Sequence, residues 1–148
     1  MDLSKKKYLE NKFNEIQPRS ILKKGDILIN IVGASIGRAC IFNLDEVANI
    51  NQAVALVRCD QKLINIRLLN RFLNSEDAFK MYDDMKIDVA RANLSLQNIS
   101  DLKIPLPPLS EQQKIVSEIE KIEEKIKALK TEIAEIPKQK EAVLKKYL

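Results

Sequence analysis

The sequence predicts an α+β fold in which a small, mainly antiparallel sheet with helices is followed by a long coiled-coil helix. Three observations support this class. Short apolar runs separated by turn residues fill most of the first hundred positions. Three prolines within residues 105–108 then interrupt any regular element. The rest of the chain follows one apolar repeat of helical spacing. We therefore expect a globular domain over residues 1–103, a proline-rich connection over 104–109 and a long helix over 110–148.

Three segments of the globular domain are predicted to be strands. After a weakly patterned start, residues 25–32 form an apolar run typical of a buried strand. The Gly33–Gly37 segment turns the chain, and residues 38–42 form the returning strand of a hairpin. Residues 51–58 are expected to form the third strand.

Two helices should follow the strands. Residues 64–74 have helical spacing, and Ser75 is placed to cap and start the next helix. The apolar positions of these helices are Leu68, Leu69, Phe72, Leu73, Phe79, Tyr82 and Met85. Residues 90–100 are polar and are expected to be irregular, with a short strand near residues 102–104.

The composition excludes several kinds of site. The chain has no His, which rules out His-based acid–base catalysis, a Ser/His or Cys/His pair and a His-containing zinc site. Cys40 and Cys59 form no C-x-x-C motif and fit a reducing cytoplasm. The start of the chain lacks the apolar core of a signal peptide, and no apolar run has the roughly 20 residues that span a bilayer. We therefore expect a cytoplasmic protein without a membrane segment.

The basic residues are unevenly distributed. The net charge is +4, and all six arginines precede residue 109. Residues 1–108 carry 16 basic and 13 acidic residues, a net charge of +3. Such a balance permits nucleic-acid binding, and it is equally typical of an ordinary solvated surface.

The Gly33–Gly37 loop does not have the features of a nucleotide-binding phosphate loop. It lacks the Gly-Lys-[Ser/Thr] ending, and it joins two strands instead of opening a helix. We interpret it as a hairpin turn that can present Ser35 and Arg38 to a partner. Gln52, at the start of the third strand, is a weaker candidate because a strand start could bury it.

The polar segment 90–98 is a second candidate contact region. It contains Arg91 and Asn93, and arginine recognises guanine edges whereas asparagine and glutamine recognise adenine edges. The other interpretation is a polar loop that caps neighbouring elements. No methyltransferase motif is present, and the Glu123-Glu-Lys125 spacing of a nuclease falls on a predicted helix, where a metal site cannot be built.

The tail carries the strongest pattern, an apolar a/d seam of coiled-coil spacing. Ser110 is expected to cap this helix and Pro137 to kink or break it. The segment from Ser110 to Ile136 would be about 40 Å long, more than a domain of this size can cover, which favours a partner helix. The seam consists of Ile115, Ile119, Ile122, Ile126, Leu129, Ile133 and Ile136.

The charges beside the seam favour an antiparallel homodimer. A parallel pair would set Glu118 against Glu123 and Lys125 against Lys130, and both contacts would repel. An antiparallel pair in which facing seam positions sum to about 255 sets Glu123 against Lys130 and Lys125 against Glu132. Each exposed pair contributes only about 0.2–0.5 kcal/mol, so these charges select a direction and the apolar seam provides the affinity.

Several motifs together resemble the DNA-specificity subunit of type I restriction–modification systems. They are Gly25-Asp-Ile-Leu-Ile, Gly33-x-Ser-Ile-Gly37-Arg, Asn49-Ile-Asn-Gln52, Ala90-Arg-x-Asn-Leu-Ser95 and Ile104-Pro-Leu-Pro-Pro-Leu-Ser-Glu-Gln-Gln-Lys-Ile-Val116. The resemblance implies a target recognition domain followed by a conserved long helix, with no catalytic activity. It further implies recognition of one half of a bipartite site in double-stranded DNA and antiparallel pairing of two such helices. Modification subunits that use S-adenosylmethionine would dock on the assembly and bring the restriction subunit, and this chain itself would bind no cofactor.

The sequence departs from the family pattern in two respects. It has one domain–helix unit where the resemblance implies two in a complete member, and we expect most of the segment that precedes the Gly25 hairpin in such a member to be absent from this sequence. A half subunit that dimerises, a truncated paralogue and a fragment all fit this pattern. One alternative function therefore stays open, a coiled-coil interaction protein that docks on modification subunits without recognising DNA.

Overall fold

A computed structural model describes residues 7–85 and 93–148. The chain divides into two compact units, residues 1–109 and 110–148. The predicted α+β class is confirmed. In chain order the elements are α1 (Lys12–Ile16), a 3₁₀ helix (Pro18–Ser20), β1 (Ile27–Asn30), β2 (Ala39–Ile41), β3 (Val54–Val57), α2 (Ile66–Leu73), α3 (Glu76–Met85), α4 (Leu96–Ser100) and α5 (Leu109–Tyr147).

The three strands form an antiparallel sheet in the order β2-β1-β3. The apolar character of β1 follows from its central place, because it has a neighbouring strand on each side. Its Ile27 and Ile29 are fully buried and alternate with the half-buried Leu28, so one face of the sheet forms the core. The predicted hairpin and the predicted third strand are therefore both confirmed.

Helices α2 and α3 supply the other side of this core, as the apolar spacing predicts. The Asn65 side chain accepts hydrogen bonds from the amides of Arg67 and Leu68 and caps α2. The Ser75 hydroxyl accepts a hydrogen bond from the Ala78 amide at 3.3 Å at the start of α3. The residues of the two helices that are almost completely buried are Leu69, Leu73, Ala78 and Tyr82.

The Asn74 side chain attaches the end of α2 to the outer edge of β2. Its amide nitrogen donates to the Ala39 carbonyl at 2.9 Å, and its oxygen accepts from the Ala39 amide at 3.1 Å. These are the two hydrogen bonds that a further strand would make. Asn74 therefore protects part of an edge that would otherwise be open to pairing.

Two expectations for residues 93–104 are wrong. Residues 96–100 form the short helix α4 instead of an irregular loop, because Ser95 and Asn98 make a reciprocal capping box. Residues 102–104 do not form a strand. The prolines that follow lack the N–H groups needed to continue a ladder.

Helix α5 has the predicted length and lies one residue earlier in the chain than predicted. It begins at Leu109, so Ser110 lies within its first turn and is not its cap. It runs through Pro137 to Tyr147, so the expectation of a break at Pro137 is wrong. A proline interrupts one hydrogen bond of a helix, and the Lys, Glu and Ala residues on both sides favour its continuation. None of the helices in the described ranges is long and apolar enough to cross a membrane.

Candidate functional site

One end of the sheet gathers most of the predicted contact residues of the globular unit. The strand register places Ala39, the first residue of β2, opposite Ile29. It also places Val54, the first residue of β3, opposite Asn30, the last residue of β1. The Gly33–Gly37 loop and the residues that precede β3 therefore lie at the same end.

Residues 93 and 94 lie at this end of the sheet as well. Asn93 pairs with Val32 in an isolated antiparallel bridge, and the Leu94 amide donates to the Ile31 carbonyl at 3.0 Å. Leu94 is buried and anchors the segment in the core, whereas Asn93 is exposed. We call residues 31–38, 51–53 and 93–94 the loop end of the sheet.

Ser35 and Arg38 are both exposed in this region, as predicted. Asn30 Nδ2 donates to Ser35 Oγ at 2.9 Å and to the Val32 carbonyl at 2.8 Å, so one side chain holds the two halves of the loop. Arg38 continues the ladder through its carbonyl, which accepts from the Asn30 amide at 3.0 Å. Its guanidinium makes no hydrogen bond or ion pair with another residue of the described part of the chain.

Gln52 is exposed in a turn just before β3, so the expectation that a strand start could bury it is wrong. The turn forms because the Asn51 side chain accepts from the Ala53 amide at 3.0 Å, which delays the start of the strand. Arg91 lies outside the described residues. Ser35, Arg38, Gln52 and Asn93 are thus brought to one end of the sheet, and their part in binding stays a prediction.

Gly37 fixes the loop against α3. It has a φ of +83°, and a Cβ at this position would lie 2.5 Å from Cδ2 of Tyr82 and 3.1 Å from Cε1 of Phe79. Gly33 has the same φ, but a Cβ there would meet no atom within 4 Å. The loop is therefore packed tightly at its second glycine and open at its first.

The opposite end of the sheet holds an ion pair between a buried carboxylate and a partly exposed arginine, which was not predicted from the sequence. Asp26 is 2% exposed and accepts hydrogen bonds from Arg58 Nε and Nη2, both at 2.7 Å. It also accepts from the Lys23 amide, and Arg58 Nη2 donates to the Ile21 carbonyl at 3.1 Å. Once β1 and β3 are known to pair with Ile27 opposite Val57, these charged residues face each other, so the register was the missing signal.

The interaction shifts the pKa of both partners. Burial by itself would raise the pKa of Asp26, but the hydrogen bonds from Arg58 and the Lys23 amide, together with the charges of these two residues, outweigh it and lower the pKa below its usual value. The hydrogen bond with Asp26 raises the pKa of Arg58. Asp26 therefore stays ionised at neutral pH, and the pair joins β1, β3 and the Ile21 segment structurally.

The seam of α5 is exposed over most of its length. Every residue from Lys121 onward is exposed, including Ile126 at 47% and Ile133 at 64%. Because the helix continues through Pro137, Val143 adds one further apolar position, seven residues after Ile136. The stripe is apolar on one side of a helix whose other sides are rich in Lys and Glu, which is typical of a coiled-coil partner surface.

The described residues offer hydrogen-bond donors and apolar surface but no metal centre. Nowhere in residues 7–85 and 93–148 do three His, Cys, Asp or Glu side chains meet to hold a metal ion. Burial raises the pKa of the Cys59 thiol, which disfavours the thiolate needed of a nucleophile. The loop end presents arginine, side-chain amide and hydroxyl groups, which can form hydrogen bonds with a ligand.

Comparison with known protein families finds a family model that matches most of this chain. A family model described as type I restriction modification DNA specificity domain matches residues 4–138. This match includes the sheet, the loop end and the seam as far as Ile136.

Individual relatives agree with the family model. The chain is 33% identical over 122 residues to the type I restriction enzyme EcoBI specificity subunit of Escherichia coli, a match that covers 82% of this chain and 26% of that protein. It is 27% identical over 131 residues to the type I restriction enzyme MjaVIII specificity subunit of Methanocaldococcus jannaschii, covering 86% of this chain and 31% of that protein. The chain thus spans between a quarter and a third of the length of these relatives.

Proposed function

Because the chain belongs to the type I restriction modification DNA specificity domain family, we propose that it recognises one half of a bipartite DNA site and serves as a scaffold in a type I restriction–modification complex. The relatives named as specificity subunits support this role. The proposal assigns DNA contact to the loop end of the sheet and assembly to α5.

The observation that carries the proposal is the grouping of exposed donor side chains at the loop end. Arg38, Gln52 and Asn93 come from three separate segments, and their side chains are types that hydrogen-bond to base edges or phosphates. Ser35 adds a hydroxyl group beside them. An exposed surface of this composition suits contact with a duplex better than it suits a small-molecule site.

The exposed seam supports pairing of two copies through α5. An apolar stripe of this length facing water would cost solubility and stability unless it were covered. The register in which facing positions sum to about 255 covers it and places Glu123 against Lys130 and Lys125 against Glu132. We therefore propose an antiparallel homodimer that carries two recognition units.

The remaining partners follow from the same role. We propose that methyl transfer belongs to a modification subunit that binds S-adenosylmethionine, and that this chain contributes no catalytic group and binds no cofactor. The absence of His from the whole sequence supports this division. The restriction subunit would join through the modification subunits, and the complex would act in the cytoplasm, where its DNA lies.

Binding of the purified chain to duplex DNA tests the proposed recognition. We expect binding that weakens as salt increases, because phosphate contacts release counterions. A random duplex pool should also yield an enriched motif. Binding should be measured with and without a modification subunit, since the two together resemble the assembled complex.

The second candidate is a coiled-coil protein that docks on modification subunits without recognising DNA. The exposure of the seam, in a unit separate from the loop end, favours keeping this candidate. It predicts association with the modification subunit but no enriched motif and no salt-dependent DNA binding. The duplex experiment therefore separates the two functions directly.

Sedimentation of a seam variant tests the homodimer. Ile122→Asp combined with Ile126→Asp should give monomers while the globular unit stays folded, because two carboxylates would be buried in the interface. Ala128→Asp combined with Thr131→Asp is the matched control, since it adds the same charges on the other side of α5. A wild-type chain that is monomeric at tens of micromolar would contradict self-pairing.

A further inference from the structure

The β1–β2 loop, residues 33–37, has a set of donors that suits a phosphate group better than a base edge. The described residues provide no hydrogen-bond acceptor for the Ala34 and Ser35 amides, which lie next to each other in the turn. The turn itself is closed by the Ile36 amide, which donates to the Gly33 carbonyl at 3.4 Å. Successive amides of an exposed turn can donate hydrogen bonds together to an anion.

The Ser35 hydroxyl is oriented as a donor by its neighbour. Asn30 Nδ2 donates to Ser35 Oγ at 2.9 Å, so this oxygen already accepts a hydrogen bond and its own proton is left to be donated. Phosphate oxygens only accept hydrogen bonds, whereas base edges present both donors and acceptors. A hydroxyl fixed in this way therefore matches a phosphate without distinguishing between bases.

The loop also has the rigidity and the access that a phosphate contact needs. Gly37 is packed against Tyr82 and Phe79, so the loop is fixed to α3. On the other side, the space where a Gly33 Cβ would lie has no atom within 4 Å. A DNA backbone can thus approach the turn closely, and Arg38 follows it with an exposed guanidinium.

We propose that this loop, with Arg38, is a clamp for one phosphate of the DNA backbone and does not distinguish bases. The proposal rests on the proposed DNA recognition and refines it, because it assigns positioning of the duplex to the loop. Recognition of the sequence would then depend on the other segments of the loop end. The amides of Ala34 and Ser35, the Ser35 hydroxyl and the Arg38 guanidinium would all donate to that phosphate.

The test is binding of the full chain to duplexes drawn from a random pool, measured over a range of salt concentrations. Arg38→Ala should weaken binding to all duplexes by the same factor and flatten the salt slope by about one. Ser35→Ala should weaken binding by about 2- to 10-fold without changing the slope, because it removes a neutral hydrogen bond. Both variants should enrich the same motif as the wild type, and Ser35→Thr should retain wild-type affinity.

Arg19→Ala is the matched control for charge. Arg19 is exposed in the 3₁₀ helix near Ile21, on the side of the Asp26–Arg58 pair, and its removal should leave the affinity and the slope unchanged. Loss of one position of the motif in Arg38→Ala would show that the loop recognises a base, and unchanged binding in both loop variants would show that it does not touch DNA. Either result overturns the clamp while the proposed function stands. A wild-type chain that binds no duplex would overturn both.

Discussion

At the scale of single residues, Gly37 illustrates how backbone conformation and packing act together. Its positive φ requires a residue without a side chain, and Tyr82 occupies the space into which a side chain would extend. The aromatic ring of Phe79 meets that of Tyr82 edge to face, with 5.7 Å between ring centroids, which is a favourable packing geometry. The position of the loop in the candidate interface therefore depends on how closely Gly37 packs against Tyr82 and Phe79.

Gly37→Ala should destabilise the fold more than Gly33→Ala. Both variants place an L-residue at positive φ, which costs about 1–2 kcal/mol. Only Gly37→Ala also forces a Cβ into Tyr82, which should add roughly 1–3 kcal/mol. Denaturant unfolding of the two variants measures the difference, and equal losses would show that the loop does not rest on Tyr82 in solution.

The Asp26–Arg58 pair should make stability depend on pH. The pKa of Asp26 is lowered in the folded protein from an ordinary value of 3.8. Its stabilising contribution is therefore complete above that value and is lost as the pH falls toward the folded pKa. In Arg58→Ala the carboxylate stays buried without its partner, and burial then favours the protonated form.

Arg58→Ala should consequently lose about 1–3 kcal/mol of unfolding free energy at pH 7. The figure is modest because the Arg58 side chain is 44% exposed and water reaches the pair. The difference from the wild type should begin to shrink below about pH 4, where the unfolded carboxyl group becomes protonated, and should keep falling toward the lowered pKa of folded Asp26. Chemical unfolding at pH 7 and at about pH 3.5 checks this, with Lys62→Ala as the control for loss of an exposed charge, and a difference that does not change with pH would contradict it.

At the scale of elements, α5 carries an apolar heptad repeat and continues through Pro137. The apolar stripe runs from Ile115 to Ile136 and reappears at Val143. Lys140 lies between them at a seam position, seven residues after Ile133. A lysine at such a position weakens a seam but restricts its register. The flanking charges, which lie on the exposed helix, then decide the direction of pairing.

Glu123→Lys should distinguish the two directions. In the antiparallel dimer the introduced lysine faces Lys130 of the other copy, twice by symmetry, and the dimer should weaken by about 1–2 kcal/mol. In a parallel dimer the same change would relieve repulsion with Glu118 and strengthen the association. Sedimentation equilibrium measures the sign, and adding Lys130→Glu to the variant should restore the antiparallel pair.

At the scale of the whole molecule, the chain combines one recognition unit with one pairing helix. The family match spans both units, whereas the match covers only 26% of one relative and 31% of another. In the proposed dimer two copies would supply the two recognition units that a bipartite site requires. Pairing of the helices would then strengthen DNA binding, because only the dimer can bind two half-sites of one duplex at once.

The seam variant Ile122→Asp/Ile126→Asp should therefore lose affinity for a duplex that carries two half-sites. We expect a loss of about 100-fold or more, because the second contact is no longer intramolecular. The salt slope should fall to about half, since half of the phosphate contacts disappear. Affinity for a duplex with a single half-site should stay the same, and titration of both duplexes gives the comparison. Equal losses on the two duplexes would show that the variant damages the recognition unit.

The strands and most of the helices could be predicted from the order of residues alone. The strands over residues 25–32, 38–42 and 51–58, helices α2 and α3, and the apolar seam all follow from the spacing of apolar residues along a short stretch. Two of the wrong predictions concern whether a short segment forms a helix. The capping box of Ser95 and Asn98 made a helix where polarity indicated a loop, and strong helix formers carried α5 through Pro137.

Which distant residues meet became visible only in the folded chain. The sheet order and register bring Gln52 and Asn93 to the Gly33–Gly37 loop and set Asp26 against Arg58. The contact of Gly37 with Tyr82 likewise joins residues that are far apart in the chain. Periodicity describes which face of an element is apolar, but it does not say which other element covers that face. Which elements pack together depends on all of them at once. The residues of the candidate site are therefore brought together only by the order and register of the strands.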